Sequence, residues 1–378
     1  MTPIHDPIRR TFLRRSLALA AVPVLSALSW RTVAAARAED KAAAGVTIDV
    51  RSKGARGDGK ADDTGAFQAA IDALPVTGGT VRVPAGNYMI DAARSVKLCS
   101  NMRLEMAPDA QLTAFPNALR RYYVVKVWRA DNVEIIGGRI VGERDQHQGD
   151  NGGEWGYGLN IQASHNVRVT GTHLSNCWGD GLWVGALGKG ARVVVSTDVT
   201  IDGVVSTNNR RQGMSVGPVQ RLKIINCTFS GTHGTAPQAG IDLEPMTQGL
   251  VRDVEISNCL VTGNKGSGIE VHHNVSGLVI RGCTIRDNKG YGVLGVHTSD
   301  LWVDGNTITG NGLAGVGLGK RSSDVKITGN TLSSNSARRL RHALKALTSD
   351  KGGGAHADQL RIDSSSSNVH VSANTFAS

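Results

Sequence analysis

The chain has 378 residues, with 47 glycines, 10 prolines and only 4% aromatic residues. Its formal charge is +10, but six arginines and one aspartate fall in the first 38 residues, and removing that excess of 6 − 1 = 5 leaves +5. So modest a surplus argues against nucleic acid as a partner and suits an acidic polymer only weakly, while five cysteines are an odd number, spaced for neither a disulfide framework nor a zinc site.

The chain opens with Arg9-Arg10-Thr11-Phe12-Leu13-Arg14, then a mostly apolar run from Ser16 to Trp30 interrupted by Pro23, then Ala36-Arg37-Ala38. The run is too short to span a bilayer and the small-x-small triplet reads as a cleavage site, which together predict a secretory signal over residues 1–38. The arginine pair followed by Phe-Leu resembles a twin-arginine export signal. That resemblance implies a bacterial protein exported folded by the twin-arginine machinery to the periplasm or beyond, with no stable membrane span after cleavage.

Residues 39–378 are expected to form one domain. Val46 to Val50 reads as a strand, and Thr64 as the cap of a helix running through Phe67 and Ile71 to about Leu74. Gly78-Gly79 turns the chain, and Thr80 to Met89 is a second strand bent at Pro84-Ala85-Gly86. Asp58, Asp62 and Asp63 read as turn and first-turn acids rather than a calcium loop.

From about residue 95 short alternating strands recur, among them Leu222-Lys223-Ile224-Ile225, Val254-Glu255-Ile256, Leu278-Val279-Ile280 and Val325-Lys326-Ile327. A corner follows most of them: Asn226-Cys227, Asn258-Cys259, Gly282-Cys283, Asn306-Thr307, Asn330-Thr331, Asn374-Thr375. Next comes a glycine with two alternate apolar residues, led by Gly158, Gly181, Gly213, Gly240, Gly268, Gly292 and Gly315. A period in the twenties with three short strands per period predicts a parallel β-solenoid, because one coil cannot bury its apolar side alone and stacked coils can. The corners place Cys227, Cys259 and Cys283 on one inward ladder, continued by Thr307 and Thr331. The helix at 64–74 is expected to cover the open end of the core. Residues 336–357 break the pattern with a basic amphipathic helix, read as an insertion.

Side chains alternate across a strand. With Ile241 and Leu243 inward, Asp242 and Glu244 face out together, and Glu270 and His272 do the same on the next coil. The outward column two after each glycine reads Asn160, Trp183, Ser215, Asp242, Glu270, Leu294, Gly317; polarity peaks in the middle and stops at Leu294, unlike an ordinary solvated face. Gly185 and Gly217 are expected to lower the wall beside the acids. On adjoining rungs Asp242 and Glu270 would have Cα atoms about 4.8 Å apart, and Asp242 and Glu244 roughly 6.5–7 Å, distances that admit both retaining and inverting glycosidases. Crowded carboxylates resist ionising together, so one should keep the proton that a general acid needs.

Irregular loops lead into the same strands and carry His147, Glu154, Trp155, Trp178, Asp180, Arg210 and Arg211. The tryptophans offer flat surfaces for sugar rings, and the arginines suit a uronate or sulfate.

Residues 46–90 carry Gly-Ala-x-Gly-Asp-Gly-x-x-Asp-Asp-Thr-x-Ala-Phe-Gln and Gly-Gly-Thr-Val-x-Val-Pro-Ala-Gly-x-Tyr. This segment resembles the N-terminal part of the pectate-lyase-superfamily, or polygalacturonase-related, proteins. The resemblance implies an all-β right-handed parallel β-helix and a place among polysaccharide hydrolases, lyases, epimerases and tailspike depolymerases. The polygalacturonase motifs Asn-Thr-Asp, Asp-Asp, Gly-His-Gly and Arg-Ile-Lys do not occur in order, Asp180 echoing the second in part, and the epimerase pattern Asp-Pro-His is absent.

The expectation is a carbohydrate-polymer hydrolase without cofactor or metal, acting on a polysaccharide for which an acidic chain is one option. Asp242, Glu244, Glu270 and Asp180 are its candidate catalytic groups. Glu154, Trp155, Asn160, Trp183, Arg210, Arg211, His272 and His147 are its candidate substrate contacts. A uronan lyase or C5-epimerase and a non-catalytic glycan-binding solenoid are the alternatives.

Overall fold

The computed structural model describes residues 45–150, 152–245, 249–336 and 358–377. The expected signal peptide and the basic segment 337–357 lie outside the described residues. The unit Ala42–Ser378 contains every described residue.

Each coil contributes three strands, as in Val219–Ile225, Thr228–Ser230 and Ile241–Leu243, followed by Val251–Ser257, Leu260–Thr262 and Ile269–Val271. Among the described residues the strands pair in parallel from coil to coil, giving a 22-stranded and a 10-stranded sheet. The core is the inward half of each strand: Met214, Val216, Ile241, Leu243, Ile269, Val271 and Val293 are all wholly buried. Burying each such side chain contributes on the order of 1.5–3 kcal/mol. Losing one, as in Ile269→Ala, would cost about 2–5 kcal/mol.

The corners explain the asparagines. After the long strand the backbone turns through a left-handed residue, Asn226 (φ 57), Asn258 (φ 54), Gly282 (φ 60), Gly305 (φ 61) and Gly329 (φ 65) in successive coils, a conformation Gly and Asn adopt at least cost. The turn leaves backbone groups unpaired inside the coil, and these need partners. The buried Asn306 supplies them: its side-chain amide donates to the Ile280 carbonyl at 2.9 Å and to Asn330 Oδ1 at 2.9 Å. A second ladder runs Asn264, Asn288, Asn311, Asn335, with amide-to-carbonyl steps of 2.8, 3.0 and 2.9 Å.

Two expectations are corrected here. Cys227, Cys259 and Cys283 are free, buried and stacked, but Thr307 and Thr331 do not continue their column. The Cys283 N–H donates to Asn306 Oδ1 at 2.9 Å, and Thr307 pairs with Thr284 instead. Gly305-Asn306 aligns with Gly282-Cys283, so the cysteine column becomes the Asn306–Asn330–Asn374 ladder. Thr64 is the first residue of the helix Thr64–Asp72, not its cap. Its hydroxyl accepts from the Asp91 N–H at 2.8 Å, while Asp63 accepts from the Arg56 and Gly57 N–H groups at 2.7 and 3.1 Å. Phe67, Ala70 and Ile71 of that helix are buried in the core. The three early aspartates serve turns as expected: Asp58 accepts from Lys60 and Ala61, and Asp62 from Thr64.

Candidate functional site

The site lies on the ten-stranded sheet. Its strands Trp155–Gln162, Asp180–Gly185, Gln212–Val216, Ile241–Leu243, Ile269–Val271 and Val293–Gly295 stack in chain order. The register aligns Asn160 with Trp183, Trp183 with Ser215, Ser215 with Asp242, Asp242 with Glu270, and Glu270 with Leu294. This is the column read from the glycine repeat. It extends further back than expected, since Lys126 aligns with Asn160.

Asp242 has core residues on both sides in its strand, so its carboxylate faces outward, yet neighbours cover it completely. Gln212 Nε2 donates to its Oδ2 at 2.6 Å, and the Gln212 carbonyl is held by the Ala239 N–H at 2.8 Å. The other oxygen, Oδ1, lies 3.1 Å from His272 Nε2 but in no hydrogen-bonding direction. His272 Nε2 is 3.8 Å from Glu270 Oε2.

A second cluster adjoins it. Arg211 Nη1 donates to Asp180 Oδ2 at 3.2 Å and to Ser215 Oγ at 3.3 Å, and Nη2 donates to Glu244 Oε1 at 2.7 Å. Its Nε lies 3.7 Å from Glu154 Oε2. Ser215 Oγ also donates to Asp180 Oδ2 at 2.8 Å. One guanidinium thus serves three carboxylates.

Crowding and burial displace the titrations. Burial pushes the Asp180 carboxyl up to about 7, with Arg211 and Ser215 drawing it back. Burial and then the Asp242 charge raise Glu244, although Arg211 opposes them. Glu270 is raised by burial and by Asp242. His272 is raised chiefly by the Asp242 carboxylate against its ring, with burial working the other way.

Access separates these groups. The Asp180 and Asp242 side chains are 0% exposed, Glu270 13%, Glu244 21% and His272 35%. Glu244, Glu270 and His272 therefore form the surface that meets solvent, and Asp180 and Asp242 lie covered behind it.

Several loop residues are placed otherwise than expected. The Trp178 indole is buried, stacked on His147 at 3.7 Å and with the Arg210 guanidinium 3.8 Å from a ring centroid. It offers no face to a sugar. His147 is buried in turn and held by Glu143 at 3.1 Å. Arg210 is buried and donates to the Gly153 carbonyl at 3.1 Å, and Arg211 is committed to its carboxylates, so neither presents a free fork to a uronate. Asn160 is wholly buried and accepts from Trp128 Nε1 at 2.6 Å. Gly185 and Gly217 do not lower a wall. They make room for Trp183, whose ring would be 2.8 Å from a methyl group at Gly217. Trp155 is half-buried, with the Arg121 guanidinium 4.8 Å above its ring.

Sequence patterning alone does not single out Gln212, Ser215, Tyr123 and Trp128 as site residues. Ser215 stands in the outward column, and register is the one signal that points to it. Tyr123 and Trp128 meet edge to face at 5.1 Å, with the Lys126 ammonium 4.6 and 4.8 Å from their ring centroids. Both are half-buried on the face that continues to Trp183.

The chain belongs to the family described as the right-handed beta helix region, whose profile matches residues 117–245 and 238–378. Residues 47–105 match the rhamnogalacturonase A/epimerase, pectate lyase-like family. The SPbeta prophage-derived protein YorA of Bacillus subtilis (strain 168) is 32% identical over 187 residues, 43% of this chain and 32% of YorA. Alginate lyase 7 of Azotobacter vinelandii is 56% identical over 43 residues, 11% of this chain and 5% of that protein. The chain thus spans at most about a third of these curated relatives' length. Among solved structures, the A-module of the mannuronan C-5 epimerase AlgE6 of Azotobacter vinelandii superposes with a TM-score of 0.68 at 19% identity, over 88% of this chain and 99% of that one. That likeness is one of fold. Among the described residues no helix is long and apolar enough to cross a membrane.

Proposed function

We propose that this β-helix hydrolyses a carbohydrate polymer, with the reaction centred on Glu270 and Glu244. The observation that carries this reading is the pair of partly exposed carboxyls, both raised by burial and by the covered Asp242 between them. A glycosidase needs one carboxyl that keeps its proton and one that does not. Glu270 suits the first role, as its strongest charged neighbour is another carboxylate. Glu244 suits the second, because Arg211 2.7 Å away favours its charged form. Glu270 would protonate the leaving oxygen, and Glu244 would attack or activate water. His272 would hold substrate hydroxyls beside them. Asp180, Ser215 and Gln212 would keep Arg211 and Asp242 in place.

The polymer follows from the length of the face. From Lys126 to Asp242 the column climbs four rungs, roughly 19 Å at strand spacing, past Tyr123, Trp128 and Trp183. Half-buried aromatic rings in a row suit the apolar faces of successive sugars. The reacting sugar is taken as uncharged, because the centre is rich in acids and its arginine is already paired. A signal at residues 1–38 and action outside the cytoplasm accord with a substrate of this kind.

Elimination from a uronan is the second reading, favoured by the stretch shared with alginate lyase 7. A panel of neutral and acidic polysaccharides, scored for new reducing ends and for ultraviolet absorbance, separates the two. Reducing ends without absorbance support hydrolysis; an absorbing unsaturated product ends that reading.

A further inference from the structure

We propose that Asp242, Glu270 and His272 form a binding site for a divalent cation of the zinc class. The donor atoms of the three side chains lie within 4.8 Å of one another. Two neighbouring rungs produce this arrangement. Glu270 lies in the strand Ile269–Val271 and His272 directly follows its end, two residues on, while Asp242 pairs directly with Glu270 from the next coil.

The orphaned oxygen of Asp242 is the independent sign of a ligand. Asp242 is completely buried, and its Oδ1 accepts no hydrogen bond although it lies 3.1 Å from His272 Nε2. A buried carboxylate oxygen without a partner is costly. Its fellow oxygen is locked by Gln212, which in turn is locked by the Ala239 N–H. Metal ligands are commonly oriented in this way by the groups behind them. A cation at the meeting point of the three side chains would satisfy Oδ1.

The donor set selects the metal. The imidazole nitrogen favours the zinc class over the hard cations, the carboxylates are also zinc donors, and the side open to solvent leaves a position for water. Calcium and magnesium prefer oxygen alone. Zinc bonds of about 2.0–2.2 Å keep ligand atoms no more than about 4.4 Å apart, so the widest pair must close slightly. Glu270, partly exposed and long, has the freedom to do so.

The inference goes beyond the hydrolytic reading. The binding test needs no substrate and so fails or succeeds independently of that reading. Isothermal titration of the full chain with zinc alone, calcium being titrated in parallel, is the experiment. The proposal expects one equivalent of zinc per chain, and loss of at least tenfold in affinity in both His272→Ala and Glu270→Gln. Glu244→Gln should bind as the wild type does, and circular dichroism identifies any variant that has lost its fold. Cobalt offers a second readout, as a visible absorption band that appears in wild type and not in Glu270→Gln. No zinc binding, wild-type affinity in both variants, or a preference for calcium would overturn the proposal.

Discussion

Asp242 stands directly opposite Glu270 on the adjoining rung, and Asp242 is covered by its neighbours while Glu270 reaches solvent. This division of labour organises the site. The parallel stack fixes their spacing through the backbone rather than through long side chains.

Arg211 is the keystone of the second cluster. Replacing it by alanine leaves Asp180 buried without its cation, and breaking such a pair typically costs about 3–5 kcal/mol. Arg211→Ala should therefore lower the denaturation midpoint sharply. The double variant with Asp180→Asn should recover part of the loss, since the uncompensated charge is gone. Urea unfolding of the three variants measures both effects; additive losses would show that the two side chains do not act as a pair.

The same aspartate predicts a pH dependence of stability. Its folded value is about 7 against an ordinary 3.8. Between those values the folded state binds more protons than the unfolded one, so stability falls as pH rises through that window and levels off above about pH 7. A difference of one pH unit between the two values corresponds to about 1.4 kcal/mol. Unfolding free energies of wild type and Asp180→Asn from pH 4 to 8 should diverge, the wild type losing more as pH rises.

The cysteine column invites a substitution that strengthens it. Cys283 Sγ accepts from the Cys259 N–H at 3.5 Å and lies 3.6 Å from the Ile256 carbonyl. An asparagine there, like Asn306 one coil on, would offer a better acceptor and a better donor. Cys283→Asn should be neutral or stabilising by about 1 kcal/mol. Cys283→Leu should destabilise by about 1–3 kcal/mol through overpacking. Thermal melts of the two distinguish ladder from mere filler.

Trp183 rests on glycine. A methyl group at Gly217 would come 2.8 Å from its ring, so Gly217→Ala should lift the indole off the sheet. The expected result is a red-shifted tryptophan emission and about 1–3 kcal/mol of lost stability, together with weaker polysaccharide binding. Unchanged emission would mean that the ring does not lie there.

The architecture was legible because each coil repeats the same alternation: Ile241 and Leu243 in, Asp242 and Glu244 out. Parity and register alone placed Asp242 opposite Glu270. The loops gave no such purchase. Nothing periodic distinguishes Trp178, packed against His147 and Arg210, from Trp183 on the open face, and only packing decides which is covered. Thr307 failed for a related reason, since a corner shifted by one residue exchanges an inward position for an outward one.

The central claim is that Glu270 gives up a proton to the leaving sugar oxygen. The most direct measurement is turnover by Glu270→Gln on a polysaccharide that wild type cleaves, alongside binding of the same polymer. The account predicts cleavage lowered by at least a hundredfold with affinity kept within a few-fold. Cleavage at the wild-type rate by Glu270→Gln would contradict it.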